Sequence, residues 1–191
     1  RAVVAAGLAA AAAAVPPAAA AQGRLEIPPC PDNLLVDPGM EEGFGLRGAF
    51  DRLVPIGWQP WYAVAEGTTQ PPRFAARRAG AGDAAAADGL WSAEIATEGA
   101  NHEDGLWQRV SVEPGLVVEA SIWAHAWASN GARDEPSNPP GTYALALGVD
   151  PVGGEDPASP RIAWSRAITV TDAWLPLATR VTSEGGAVTV F

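Results

Sequence analysis

From residue 33 onward the apolar positions fall in short runs that alternate with polar ones, cut by clusters of Gly, Pro and Asp. No window of useful length keeps a 3.6-residue apolar period, so the pattern predicts strands and not helices. Strands are expected near 33–36, 73–77, 91–97, 106–113, 116–128, 143–149, 161–170, 174–182 and 187–191. The intervening breaks are 113–115, 130–141, 150–160 and 184–186, rich in turn-forming residues. Pro114-Gly115, set between two apolar alternations, predicts a turn of hairpin type. The stretch 79–88 reads equally as a helical turn or a surface loop. The last run, 187–191, reads as a strand just beginning, so a closing strand is expected to be missing from this chain.

The alternation is clearest from Val117 to Trp127. Successive strand side chains point to opposite faces, which puts Val118, Ala120, Ile122, Ala124 and Ala126 on one side. Glu119, Ser121, Trp123, His125 and Trp127 fall on the other. A buried face accepts a carboxylate, a hydroxyl and an imidazole in series only at high cost, so the small apolar column is expected inward. In the preceding strand Leu106, Gln108, Val110 and Val112 share a face, opposite Trp107, Arg109, Ser111 and Glu113. The two strands are expected to be neighbours, so that Trp107, Arg109, Trp123, His125 and Trp127 form one aromatic and hydrogen-bonding platform on one sheet surface.

Such a platform suits a sugar. A pyranose has an apolar face of C–H groups that stacks on indole, and a rim of hydroxyls that needs donors and acceptors. Flat aromatics flanked by polar side chains supply both and fix orientation with few contacts. Trp61 and Tyr62 are expected as a wall from a preceding loop, and Arg109, Glu119 and His125 as hydroxyl-recognising groups. Trp58, Trp91, Trp164 and Trp174, near turns or strand ends, are expected to be structural.

The rest of the chain adds an address and some exclusions. Arg1 followed by an Ala-rich apolar run, the Pro16-Pro17 break and Ala19-Ala20-Ala21 predict a secretory signal over 1–21, clipped at its front and cut after Ala21. The Pro pair stops the run short of the roughly 20 apolar residues of a membrane span. A Pro-rich linker over 22–32 and one domain over 33–191 follow, and a secreted or cell-surface location is expected. Cys30, the one cysteine, is then free or paired beyond Phe191. The net charge of -10 and the sequence pI of about 4.5 argue against nucleic acid and anionic membrane as partners. Every one of the 12 basic residues is Arg, and the aromatic complement is dominated by eight Trp. Glu103 and Asp104, beside His102, are the carboxylates best placed for glycoside chemistry, and they read more simply as a solvated polar turn.

Five stretches, taken in order, resemble a known family. They are Asn33-Leu34-Leu35-Val36-Asp37-Pro38-Gly39-Met40-Glu41, Gly57-Trp58 with Trp61, Gly105-Leu106-Trp107-Gln108-Arg109-Val110-Ser111-Val112-Glu113-Pro114-Gly115, and Ser121-Ile122-Trp123. The fifth runs from Gly148-Val149-Asp150-Pro151-Val152-Gly153-Gly154 through Trp164-Ser165 to Val188-Thr189-Val190-Phe191. The chain from Asn33 onward is similar to the galactose-binding-like jelly rolls found in secreted carbohydrate-binding modules, with Asp37, Met40 and Val117-Val118 departing from the usual wording. The resemblance implies an antiparallel β-sandwich and a structural Ca2+ near the first strand, with Glu41 as its candidate ligand. It implies a non-catalytic module that binds a polysaccharide or glycan. The alternatives are a structural or adhesive module packed against neighbouring domains of a longer chain, and a fragment of a carbohydrate-active enzyme.

Overall fold

The computed structural model describes residues 30, 32–48, 52–64, 70–80, 85–129, 137–138 and 143–191. The expected signal segment, the expected linker apart from Cys30 and Asp32, residues 49–51, 65–69 and 81–84, and most of the stretch 130–142 lie outside the described residues. Within them the chain is all-β, with eleven strands and no helix. These are β1 (Phe44–Leu46), β2 (Leu53–Pro55), β3 (Gln59–Val64), β4 (Arg73–Arg78), β5 (Trp91–Ala96), β6 (His102–Ser111) and β7 (Val117–His125). β8 (Gly148–Asp150), β9 (Ala163–Trp164), β10 (Trp174–Thr182) and β11 (Ala187–Val190) complete the set. All pair antiparallel. One five-stranded sheet has the order β3-β6-β11-β8-β9, and three two-stranded ribbons are β1-β2, β4-β5 and β10-β7.

A single core joins these pieces. Leu106 and Val110 of β6, Val149 of β8, and Val188 and Val190 of β11 meet Ala120, Ile122 and Ala124 of β7 and Leu177 of β10 in one buried cluster. Val54, Phe74 and Ala93 bring β2, β4 and β5 into it, and Trp58 and Met40 are fully enclosed there. Each large side chain so buried contributes about 1.5–3 kcal/mol, and this shared interior holds the five-stranded sheet against the β7–β10 ribbon. The alanine column of β7 faces inward as its alternation predicts, with Ala120, Ile122, Ala124 and Ala126 all buried. β11 is buried along its whole length because it lies in the middle of the larger sheet.

Three expectations need correction. Residues 33–36 form no strand. Val36 is instead held by the Gln108 side chain, which donates to its carbonyl at 3.0 Å and accepts from its amide at 2.6 Å. This is ladder-like pairing by a side chain, and it explains a Gln on the inward face of β6. Pro114-Gly115 does make a turn, with Gly115 at φ 84 and the Leu116 amide 3.4 Å from the Glu113 carbonyl. The strands it joins do not pair, however. β6 bonds to β3 and β11, whereas β7 bonds to β10, so the turn carries the chain from one layer to the other. Finally, Trp61 and Tyr62 sit in a strand, not a loop: β3 is the edge of the five-stranded sheet, where Pro60 is tolerated because one side of the strand needs no donor.

Candidate functional site

The layer change at Pro114-Gly115 divides the expected platform. The inward faces of β6 and β7 share the core, so their outward faces point away from each other. Trp107 and Arg109 lie on the outer surface of the five-stranded sheet. Glu119, Trp123 and His125 lie on the outer surface of the β7–β10 ribbon, and Trp127 follows β7 beyond its end. One continuous surface with all of them does not exist.

The ribbon side is largely covered where its aromatics sit. His125 pairs in register with Trp174, and their rings lie 5.2 Å apart. His125 is 7% exposed and Trp174 5%. Trp123 packs on Trp174 and Ala87, in a small apolar cluster separate from the main core. Ala85, immediately upstream, is anchored by the Ser92 hydroxyl, which donates to its carbonyl at 2.6 Å. A segment ahead of β5 thus roofs this end of the ribbon. Glu119 stands opposite Arg180 farther along, in the exposed part of the same face.

On the five-stranded sheet the register assembles a different set. β3 places Trp61 opposite Gly105 and Gln59 opposite Trp107. A Cβ on Gly105 would lie 2.6 Å from the Trp61 indole nitrogen, so the missing side chain lets the Trp61 ring lie down over β6. That nitrogen is buried with no hydrogen-bond partner. Trp107 and Arg109 follow on the same face, two residues apart. Trp107 is half-buried, belongs to neither apolar cluster and has no described partner for its indole N–H. Tyr62 alternates to the other face, packs on the core and accepts a 2.9 Å bond from Arg52, whose guanidinium also lies 4.7 Å from its ring centre. Of the expected wall, therefore, only Trp61 faces outward.

Farther across the sheet, Arg109, Thr189 and Asp150 stand in one row over β6, β11 and β8. Asp150 is 1% exposed and Thr189 fully enclosed. The loop after β8 folds over this row. Asp150 Oδ1 accepts from the Val152 amide at 2.8 Å, and the Gly153 carbonyl accepts from Arg109 Nε at 3.0 Å. The Gly-Val-Asp-Pro-Val-Gly-Gly motif is thereby explained as a loop built to cover β11 and hold Arg109. At the far edge the Trp164 ring lies over Gly148 as Trp61 does over Gly105, with its centre 6.3 Å from that of Phe191. Trp164, expected to be structural, is 44% exposed on this same face.

The carboxylates proposed for other chemistry do not converge. Glu103 and Asp104 lie within β6 and alternate to opposite faces, and Glu119 is on the other layer. Glu41 Oε1 accepts from the Leu90 and Trp91 amides at 2.7 and 2.8 Å, clamping the opening segment to the start of β5. Both bonds fall on Oε1, and a Ca2+ site needs six to eight converging acceptors. No group of three or more His, Cys, Asp or Glu is gathered among the described residues. The described residues contain no helix long and apolar enough to cross a membrane. The chain matches no family model, no curated protein and no solved structure.

Proposed function

We propose that the chain is a non-catalytic glycan-binding module of an exported protein, with a jelly-roll sandwich fold and its ligand seated on the outer face of the five-stranded sheet. The observation that carries this reading is the line formed by Trp61 of β3, lying over Gly105, and Trp107 and Arg109 of β6. It sets two indoles and a guanidinium on one sheet surface, outside the core, with Gln59 beside them. A flat aromatic ring stacked against a pyranose is worth about 0.5–1.5 kcal/mol beyond its burial if it behaves like an aromatic pair. The flanking amide and guanidinium supply hydroxyl partners. The jelly-roll assignment is supported by the repeated crossing of consecutive strands between layers, at β6 to β7, β7 to β8, β9 to β10 and β10 to β11.

Affinity electrophoresis through gels cast with a panel of soluble polysaccharides tests the reading. One polysaccharide is expected to retard the protein, and Trp107→Ala is expected to abolish the retardation. The melting temperature should move by no more than about 2 °C, as for a surface substitution. Retardation unchanged by Trp107→Ala would remove the site, and no retardation on any glycan would remove the function.

A second reading has one observation in its favour. Leu116, Val117 and Val152, at 51%, 53% and 37% exposure, border the turn at 183–185, where Glu184 bonds to Pro151 and Leu116 to Ser183. An apolar end of this kind suits packing against a neighbouring domain, and it leaves the Trp107 face open.

A further inference from the structure

The setting of Arg109 says more about the ligand than the indoles do. Its Nε is spent on the Gly153 carbonyl at 3.0 Å, which fixes the guanidinium plane against the sheet. The contact depends on glycine: residue 153 has φ 72, and a Cβ there would lie 3.1 Å from Arg109 Nε and 2.9 Å from the Ala187 Cβ. Arg109 itself remains exposed, and no described residue takes either of its two terminal nitrogens. Elsewhere in this acidic chain Arg73 and Arg77 bridge to the buried Glu94, Arg161 faces Glu184 at 3.7 Å, and Arg52 bonds Tyr62. Arg109 differs in being immobilised by a neutral carbonyl with its fork left open.

A planar two-nitrogen fork matches the geometry of a carboxylate or sulfate, which it binds bidentately; a hydroxyl uses only half of it. Trp107 lies two residues away on the same strand face, a separation of about 6.5–7 Å. An acidic group on the exocyclic carbon of a pyranose stacked there falls inside that span, with a hydrogen bond's length left to reach the fork. Resting on the glycan reading above, we propose that the ligand is an acidic saccharide. Its ring stacks on Trp107 and its carboxylate or sulfate sits on the Arg109 fork.

Isothermal titration of the full chain with polygalacturonate, a sulfated galactan and the corresponding neutral galactan tests this. At least one acidic polymer is expected to bind about tenfold or more tightly than the neutral one, and which of the two does so tells carboxylate from sulfate. Raising the salt from low to high concentration should erode that preference, since the contact is ionic. Arg109→Gln is expected to remove most of it, and Arg109→Lys to restore only part, because a point charge lacks the fork. Arg180→Gln, which makes the same change in net charge on the outer face of the β7–β10 ribbon, should leave binding as it was. Equal affinity for acidic and neutral polymers, or an acidic preference that survives Arg109→Gln, would overturn the acidic ligand while leaving the glycan site standing. Failure of all three polymers to bind, together with the wider glycan panel, would overturn both.

Discussion

Burial pushes the Asp37 carboxyl above its usual range, against the amides of Glu42 and Glu41 that donate to it and pull the other way. Oδ1 takes both donors, at 3.1 and 2.8 Å, while Oδ2 is buried without a partner. The backbone is also left-handed there, at φ 47, a region where Asn and Asp are the least strained non-glycine residues. A raised folded-state pKa means that the contribution to stability is fully present below the unfolded value. It is lost as pH rises through the folded value, so at neutral pH ionised Asp37 is a cost. Asp37→Asn keeps the accepting oxygen and removes the charge. It is expected to raise the melting temperature at pH 7 by roughly 2–4 °C, about 1 kcal/mol in a chain of this size, with the gain shrinking toward zero below about pH 4. Asp37→Ala, which loses both acceptor bonds, should cost about 1–2 kcal/mol at either pH. Thermal melts of the three proteins between pH 3 and 8 decide it; a gain for Asn that does not change with pH would mean the carboxyl is not strained by burial. In the sequence Asp37 stands out only as a departure within the 33–41 opening. The orphaned oxygen beneath it was not readable, because it depends on what folds over Asp37.

At the scale of elements, the alternation in β6 and β7 was legible because period-two patterning is a local property, and it placed the inward columns correctly. Pairing was not legible. Which strand bonds to which is decided by the shared core, and a Pro-Gly turn that reads as a hairpin serves equally to cross between layers. β3 was missed for a different reason: Pro60 and the short run around it look unlike a strand, and only its edge position makes that acceptable. Missing β3 hid the role of Gly105, whose bare backbone is the seat of Trp61. Gly105→Ala puts a methyl where the indole lies and is expected to displace Trp61. Binding at this face should weaken by about tenfold or more, although no aromatic has been removed. The intrinsic tryptophan fluorescence spectrum should shift as the ring is lifted into water. Unchanged affinity and an unchanged spectrum together would mean that Trp61 does not rest on Gly105.

For the whole molecule the decisive fact is that two sets of tryptophans lie on opposite sides of one core and therefore make opposite demands on it. Trp107 packs into neither apolar cluster, so truncating it should cost binding and little stability. Trp123 covers Trp174 and Ala87 at the end of the β7–β10 ribbon, beside His125, so truncating it should cost stability and no binding. Deleting a partly buried indole that closes such a cluster is worth about 2 kcal/mol. Trp123→Ala is thus expected to melt roughly 4–8 °C below the parent chain and, below its transition, to be retarded by the same glycan to the same extent. The pair is informative because the residues are chemically identical and both stand in outward columns of well-formed strands; only the layer and the segment lying over it differ. Should Trp123→Ala abolish binding with its melting temperature intact, the ligand would sit on the ribbon, and the Ala85–Ala87 segment would have to move aside to admit it. Should both variants lose only stability, the indoles of both layers would be packing groups, and the apolar end at Leu116, Val117 and Val152 would become the surface to probe with a neighbouring domain.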